Sequence, residues 1–125
     1  MSKSEINQIN SWEVNIEELT PVMQQYMQIK RQHSNAVLLY RLGDFYETFF
    51  EDAVLMSREL ELTLTGRNAG LEERVPMCGV PYHAAEVNID KIIKKGYKIA
   101  ICEQLEDAKN TKTMVRTKLF KKMEW

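Results

Sequence analysis

A mixed β-sheet flanked by helices, an α/β fold of the α+β kind, is what the order of patterns along this chain predicts. Segments with apolar residues at helical spacing interleave with short runs that alternate or stay continuously apolar. One such run, "AVLLYRL" at 36–42, has the composition of a strand covered on both faces. The length of 125 residues, 44% of them hydrophobic, suits one domain with a modest core.

Residues 1–19 are polar and rich in Asn, Glu and Ser, with isolated Trp12, Val14 and Ile16, and read as a loosely held arm. Thr20 as N-cap and Pro21 at the first helical position then open a helix. Its Val22, Met23, Tyr26 and Met27 form one apolar stripe. The strand 36–42 follows, punctuated by Gly43-Asp44. Phe49, Ala53, Met56 and Leu60 mark a second helical stripe.

Leu60, Leu62 and Leu64 alternate with Glu61, Thr63 and Thr65, which predicts a half-buried strand, and "GRNAGLEER" reads as a polar loop. "VPMCGVPYH" reads as a short strand running into a turn, with Gly79, Pro81 and Tyr82 shaping the entry to the next helix. That helix, over about 83–95, turns Ala85, Ile89, Ile92 and Ile93 inward and stops at Lys94-Lys95-Gly96. "YKIAICE" alternates as a strand, with Cys102 as a small buried apolar residue. Thr113 to Phe120 reads as one more strand.

Composition excludes several classes. No apolar run approaches the ~20 residues needed to span a bilayer, and the N-terminus has no apolar signal region. Cys78 and Cys102 stand alone without a CxxC pair, so the expectation is a soluble cytoplasmic protein with no disulfide framework. The net charge of −1 excludes a strongly basic nucleic-acid binder, although its distribution is uneven. Residues 1–20 sum to −3 and residues 111–125 to +4. Any phosphate contact must come from local basic positions.

Catalytic signatures are missing. There is no GxxxxGK[ST] loop and no GxGxxG, and "GRNAG" lacks the following Lys-Ser/Thr of an ATP site. His33, His83, Cys78 and Cys102 lack metal-ligand spacing, so no metal site is expected. No Ser/His/Asp arrangement stands out. The carboxylates Asp44, Glu47, Glu51 and Asp52 raise a metal-dependent nuclease, but the Glu-x-Lys such sites commonly carry occurs nowhere.

The stretch "RLGDFYETFFEDA", Arg41 to Ala53, crowds aromatic rings among carboxylates. If 45–47 is extended, Phe45 and Glu47 point to one side and Tyr46 to the other. In the plainer reading Phe45 is core and Glu47 is an acid favoured at a helix N-terminus. In the sharper one the ring is held out to wedge into a stacked base step, with the carboxylate reading a base edge that only faulty pairing exposes.

"TPVMQQYMQIK", "RLGDFYETFFEDA", "LELTLTGR", "VPMCGVPYHA" and "KKGYKIAICEQLED" occur in this order and spacing. Over residues 20–116 the chain resembles the N-terminal mismatch-recognition domain, domain I, of the bacterial DNA mismatch-repair protein family MutS. The resemblance implies a module that recognises mismatched or unpaired bases in duplex DNA. The family's Phe-x-Glu motif stands here as Phe45-Tyr46-Glu47, with Phe45 stacking on the defective base from the minor groove and Glu47 hydrogen-bonding it. It also implies secondary contacts from Asp44, Arg67, Met77 and Gln104, of which Arg67 to a phosphate has the simplest chemistry.

The resemblance further implies a cytoplasmic, nucleoid-associated bacterial protein whose partners are defective duplex DNA and other MutS domains or mismatch-repair proteins. The family's connector, core, clamp and ATPase domains have no counterpart in these 125 residues, so ATP and Mg belong to the full-length family and no cofactor is expected here. Residues 1–19 form a polar arm and 117–125, "TKLFKKMEW", a divergent basic tail. The competing expectation is a non-catalytic interaction or regulatory remnant that keeps the fold with little DNA binding. A near-neutral single domain makes few phosphate contacts, so weak binding by the isolated chain is expected.

Overall fold

The computed structural model describes residues 11–106 and 113–120, with side chains described through Glu103. Three α-helices and six strands occur among them. Helix α1 (Pro21–Gln32) precedes strands β1 (Val37–Leu42) and β2 (Phe45–Phe49) and helix α2 (Phe50–Leu60). Strands β3 (Thr65–Arg67) and β4 (Val75–Pro81), helix α3 (Ala85–Lys94), and strands β5 (Ile99–Glu106) and β6 (Thr113–Phe120) follow. The strand order is β3-β4-β2-β1-β5-β6, with β1 and β5 parallel and all other pairs antiparallel. This is the mixed, helix-flanked sheet that the sequence predicts.

The continuous apolar run does cover a strand buried on both faces. Leu38 and Tyr40 join Met23, Tyr26 and Met27 of α1, while Val37 and Leu39 join Ala53 and Met56 of α2 and Ile92 of α3. The sheet therefore divides two apolar layers, α1 on one side and α2 with α3 on the other. Thr20 and Pro21 do start α1. Val22, expected in its stripe, is exposed, because Met23, Tyr26 and Met27 already set the buried direction one residue round the helix.

Three other expectations shift. Phe49 ends β2 rather than opening the α2 stripe, and its ring packs edge-on against Tyr26 at 4.8 Å. No residue separates β2 from α2: Phe50 takes φ 57°, a costly conformation for a bulky side chain, with its ring buried in the α1 layer. The alternation at Leu60, Leu62 and Leu64 marks real partial burial but not a strand. Glu61 closes α2 in a left-handed conformation, and only Thr65–Arg67 finds register with β4. The "GRNAGLEER" loop accordingly begins after Arg67.

The 11–19 part of the polar arm is held to the domain, while residues 1–10 lie outside the described residues. Val14 and Leu19 are buried in the α1 layer, and the Ser11 hydroxyl donates to Glu51 at 2.8 Å. Gly70 lets a loop seat this segment: its φ is 96°, and a Cβ there would lie 2.9 Å from the Glu18 carbonyl oxygen. Beside it Thr20 N–H donates to the Ala69 carbonyl at 2.9 Å. Of the basic tail, Thr117–Phe120 continue β6 in pairing with β5, and 121–125 lie outside the described residues. No helix among the described residues is long and apolar enough to cross a membrane.

Candidate nucleic-acid interface

Leu42 pairs with Phe45, so β1 and β2 are joined by a two-residue hairpin loop, Gly43-Asp44. Gly43 has φ 60°, as the first loop position of a type II′ turn requires, and a Cβ there would meet nothing within 4 Å. The glycine is thus needed for its backbone freedom, not for space. Phe45 follows at the tip with 46% of its surface exposed, among a core where most large apolar residues are buried.

Along β2 the side chains alternate. Tyr46 and Thr48 are buried, while Phe45, Glu47 and Phe49 share the face that α1 covers farther down. Phe45 and Glu47 therefore lie on one side, as the extended reading requires. The floor beneath them is Gly79 of β4, which pairs with Glu47. A Cβ on Gly79 would come 3.7 Å from the Phe45 ring and 3.8 Å from Glu47 Cγ. Gly79 is therefore a strand residue beside the site, not a turn-former before α3. The sequence signal was a glycine inside an alternating run, which often marks close approach of another group.

Glu47 is held firmly. Its Oε2 accepts from Arg67 Nη1 at 2.7 Å, with 13% of the Glu47 side chain and 40% of the Arg67 side chain exposed. The Arg67 guanidinium also lies 5.9 Å over the Phe49 ring. Burial pushes the Glu47 carboxyl above its ordinary value, and the Arg67 charge only partly offsets this. Tyr26 forms the pedestal. Its hydroxyl accepts from Phe49 N–H at 3.1 Å, and burial pushes its pKa up, so it stays neutral.

Met77 reaches the same floor, with its sulfur 3.9 Å from a Cβ on Gly79 and Thr65 Oγ1 3.3 Å from its carbonyl oxygen. Strand order β3-β4-β2 thus brings Phe45, Glu47, Arg67 and Met77 to one face. Asp44 sits at the tip, its carbonyl accepting from Tyr82 N–H at 2.7 Å. Gln104 lies on β5, across β1 from β2, and its side chain is outside the described residues. Cys78 and Cys102 are buried, and burial pushes the Cys78 thiol up to about 11. No cluster of His, Cys, Asp and Glu able to hold a metal occurs among the described residues.

The family model described as MutS domain I matches residues 20–123. The chain belongs to the MutS domain I family. The match runs past Arg116, where the basic tail was placed. A DNA mismatch repair protein MutS of Desulforamulus reducens is 65% identical over 103 residues, 82% of this chain and 12% of the relative. The MutS of Carboxydothermus hydrogenoformans is 62% identical over 82% of this chain and 12% of its own length. That of Lachnoclostridium phytofermentans is 61% identical over 83% and 11%. The chain thus spans about a tenth of the length of these MutS relatives.

Proposed function

We propose that this MutS domain I is a non-catalytic DNA-binding module for mismatched or unpaired bases in duplex DNA. Phe45 enters the base stack from the minor groove, and Glu47 hydrogen-bonds the base it meets. The observation that carries this reading is the exposed Phe45 ring, set beside a nearly buried carboxyl on a strand-backed floor. The MutS relatives, whose names refer to DNA mismatch repair, support it.

Inserting a ring costs a few kcal/mol of unstacking, and less at a step already weakened by a defect. Deformability thereby becomes selectivity. Glu47 is negative among phosphates, so its raised proton affinity has a use. A protonated carboxyl loses the repulsion and gains a donor for a base acceptor. Once Glu47 is neutral, Arg67 is free to turn to a phosphate. Met77 and Asp44 line the groove beside the wedge, and Gln104 belongs to the same reading as a secondary contact. These residues need no cofactor for this role; ATP and Mg act elsewhere in the family's full-length proteins. The setting is chromosomal DNA in a bacterial cytoplasm, with further MutS domains supplying the rest of the grip.

Fluorescence anisotropy of the chain on a single-T bulge, a G·T duplex and a matched control, at low and physiological salt, tests the reading. Tighter binding of the defects supports it. Equal affinity for all three at every salt, with the protein folded, overturns it in favour of an interaction role.

Two variants sharpen the roles. Glu47→Gln keeps the hydrogen-bonding shape and removes the charge, so matched-duplex affinity should rise roughly five- to tenfold and discrimination should shrink. For the wild type the sign is the same on acidification: protonating Glu47 removes a negative charge, so affinity rises as pH falls toward its raised value. Arg67→Met should weaken binding to every duplex and flatten the salt dependence by about one phosphate contact. An unchanged salt slope would mean that Arg67 serves Glu47 alone.

A further inference from the structure

We infer that Arg41 is the positioning residue for the Phe45 wedge, bracing the hairpin tip from the face opposite the ring. The inference rests on the DNA-wedge reading of Phe45. Arg41 pairs with Tyr46 across β1 and β2, so it lies on the face that Tyr46 shares with α2 and α3, away from Phe45 and Glu47. Two of its contacts there hold the tip.

Arg41 Nε donates to the Gly43 carbonyl at 2.6 Å, capping the hairpin loop itself. Its guanidinium lies 3.8 Å over the Tyr82 ring and 5.5 Å from the Tyr46 ring centroid. Nη1 approaches Glu103 Oε2 at 3.5 Å, and the Tyr46 hydroxyl donates to the other oxygen of the same carboxylate. Tyr82 closes the circuit, because its N–H donates to the Asp44 carbonyl. Both loop carbonyls, Gly43 and Asp44, are therefore held by one stacked Arg-Tyr pair.

Tyr82 is 55% exposed, so core burial does not explain its place. Serving as a platform for the guanidinium does. A wedge needs such a brace, since a ring pushed into stacked bases on a loose two-residue loop would bend away instead. Holding the tip before DNA arrives removes that ordering cost from binding. The stacked, forked geometry also makes lysine a poor substitute for Arg41.

The test pairs a measurement on the free protein with one on DNA, using Arg41→Ala and Tyr82→Leu. In the free protein, hydrogen exchange at the Tyr82 amide reports attachment of the tip. It should speed up about tenfold in Arg41→Ala, with amides of β4 and β5 away from the tip unchanged. On DNA, a 2-aminopurine beside a single-T bulge reports unstacking. Both variants should lose that signal and most defect selectivity while matched-duplex affinity stays within about twofold. Unchanged Tyr82 exchange with unchanged selectivity overturns the inference. So does an Arg41→Ala that lowers affinity for all duplexes and flattens the salt slope, since Arg41 would then be a phosphate contact. If the wild type itself shows no preference for the bulge while Arg41→Ala still frees the tip, the brace stands and the DNA reading falls.

Discussion

Phe45→Ala should abolish the preference for a bulged or mismatched duplex while leaving the domain folded. Truncating a fully buried Phe typically costs about 3–5 kcal/mol because a cavity is left behind. Phe45 leaves no such cavity: nearly half its surface is exposed at a hairpin tip. Thermal melting should therefore shift little. Binding should change far more, since an aromatic ring stacked on a base contributes about 1–3 kcal/mol, roughly five- to 150-fold in affinity. Phe49→Ala is the opposite control. Its ring is buried against Tyr26, so it should lose the several kcal/mol that Phe45→Ala spares. Anisotropy and melting on both variants check this. A Phe45→Ala protein that melts far below the wild type would make Phe45 a structural residue.

Lys30→Met should destabilise the domain by about 3–5 kcal/mol near neutral pH, the usual result of removing one partner from a buried pair. Lys30 Nζ lies 2.8 Å from Asp52 Oδ2 and 2.5 Å from the Ala36 carbonyl oxygen, with 12% and 9% of the two side chains exposed. The same Asp52 oxygen accepts from Leu38 N–H at 3.0 Å, so the pair ties α1, the start of β1 and α2 together. Burial already raises the Asp52 carboxyl above its ordinary value, against the pull of Lys30. Methionine would remove that pull and raise it further.

The sign of the pH dependence follows from this shift. A carboxyl with a raised folded value binds protons more readily folded than unfolded, so stability falls as pH rises through that window. The variant's window is wider than the wild type's. Its deficit is therefore full above the raised value and shrinks as acid protonates Asp52. Urea melts at neutral and acidic pH measure this. A deficit that stays constant down to the ordinary Asp range would mean that Asp52 is not the group left stranded.

Much of this MutS domain is local and so is written in the chain. Thr20-Pro21 starts α1, the unbroken apolar run makes β1 a buried strand, and period two puts Phe45 and Glu47 on one face. Each depends on neighbours a few residues away, where backbone geometry alone sets direction. Val22 shows the margin of such readings, since one residue of rotation moved it to solvent. Leu62 and Leu64 show another, for an alternating pattern becomes a strand only where a partner strand lies in register.

Only the tertiary structure decided the company these residues keep. The order β3-β4-β2 carries Arg67 to Glu47 and lays Gly79 under the Phe45 ring. The order β2-β1-β5 brings Glu103 to Arg41, and the turn after β4 seats Tyr82 on it. These pairs lie far apart in sequence, and no local propensity links them. They meet because hydrogen-bonded strand pairing, with β1 buried between the two apolar layers, brings distant segments of the chain side by side.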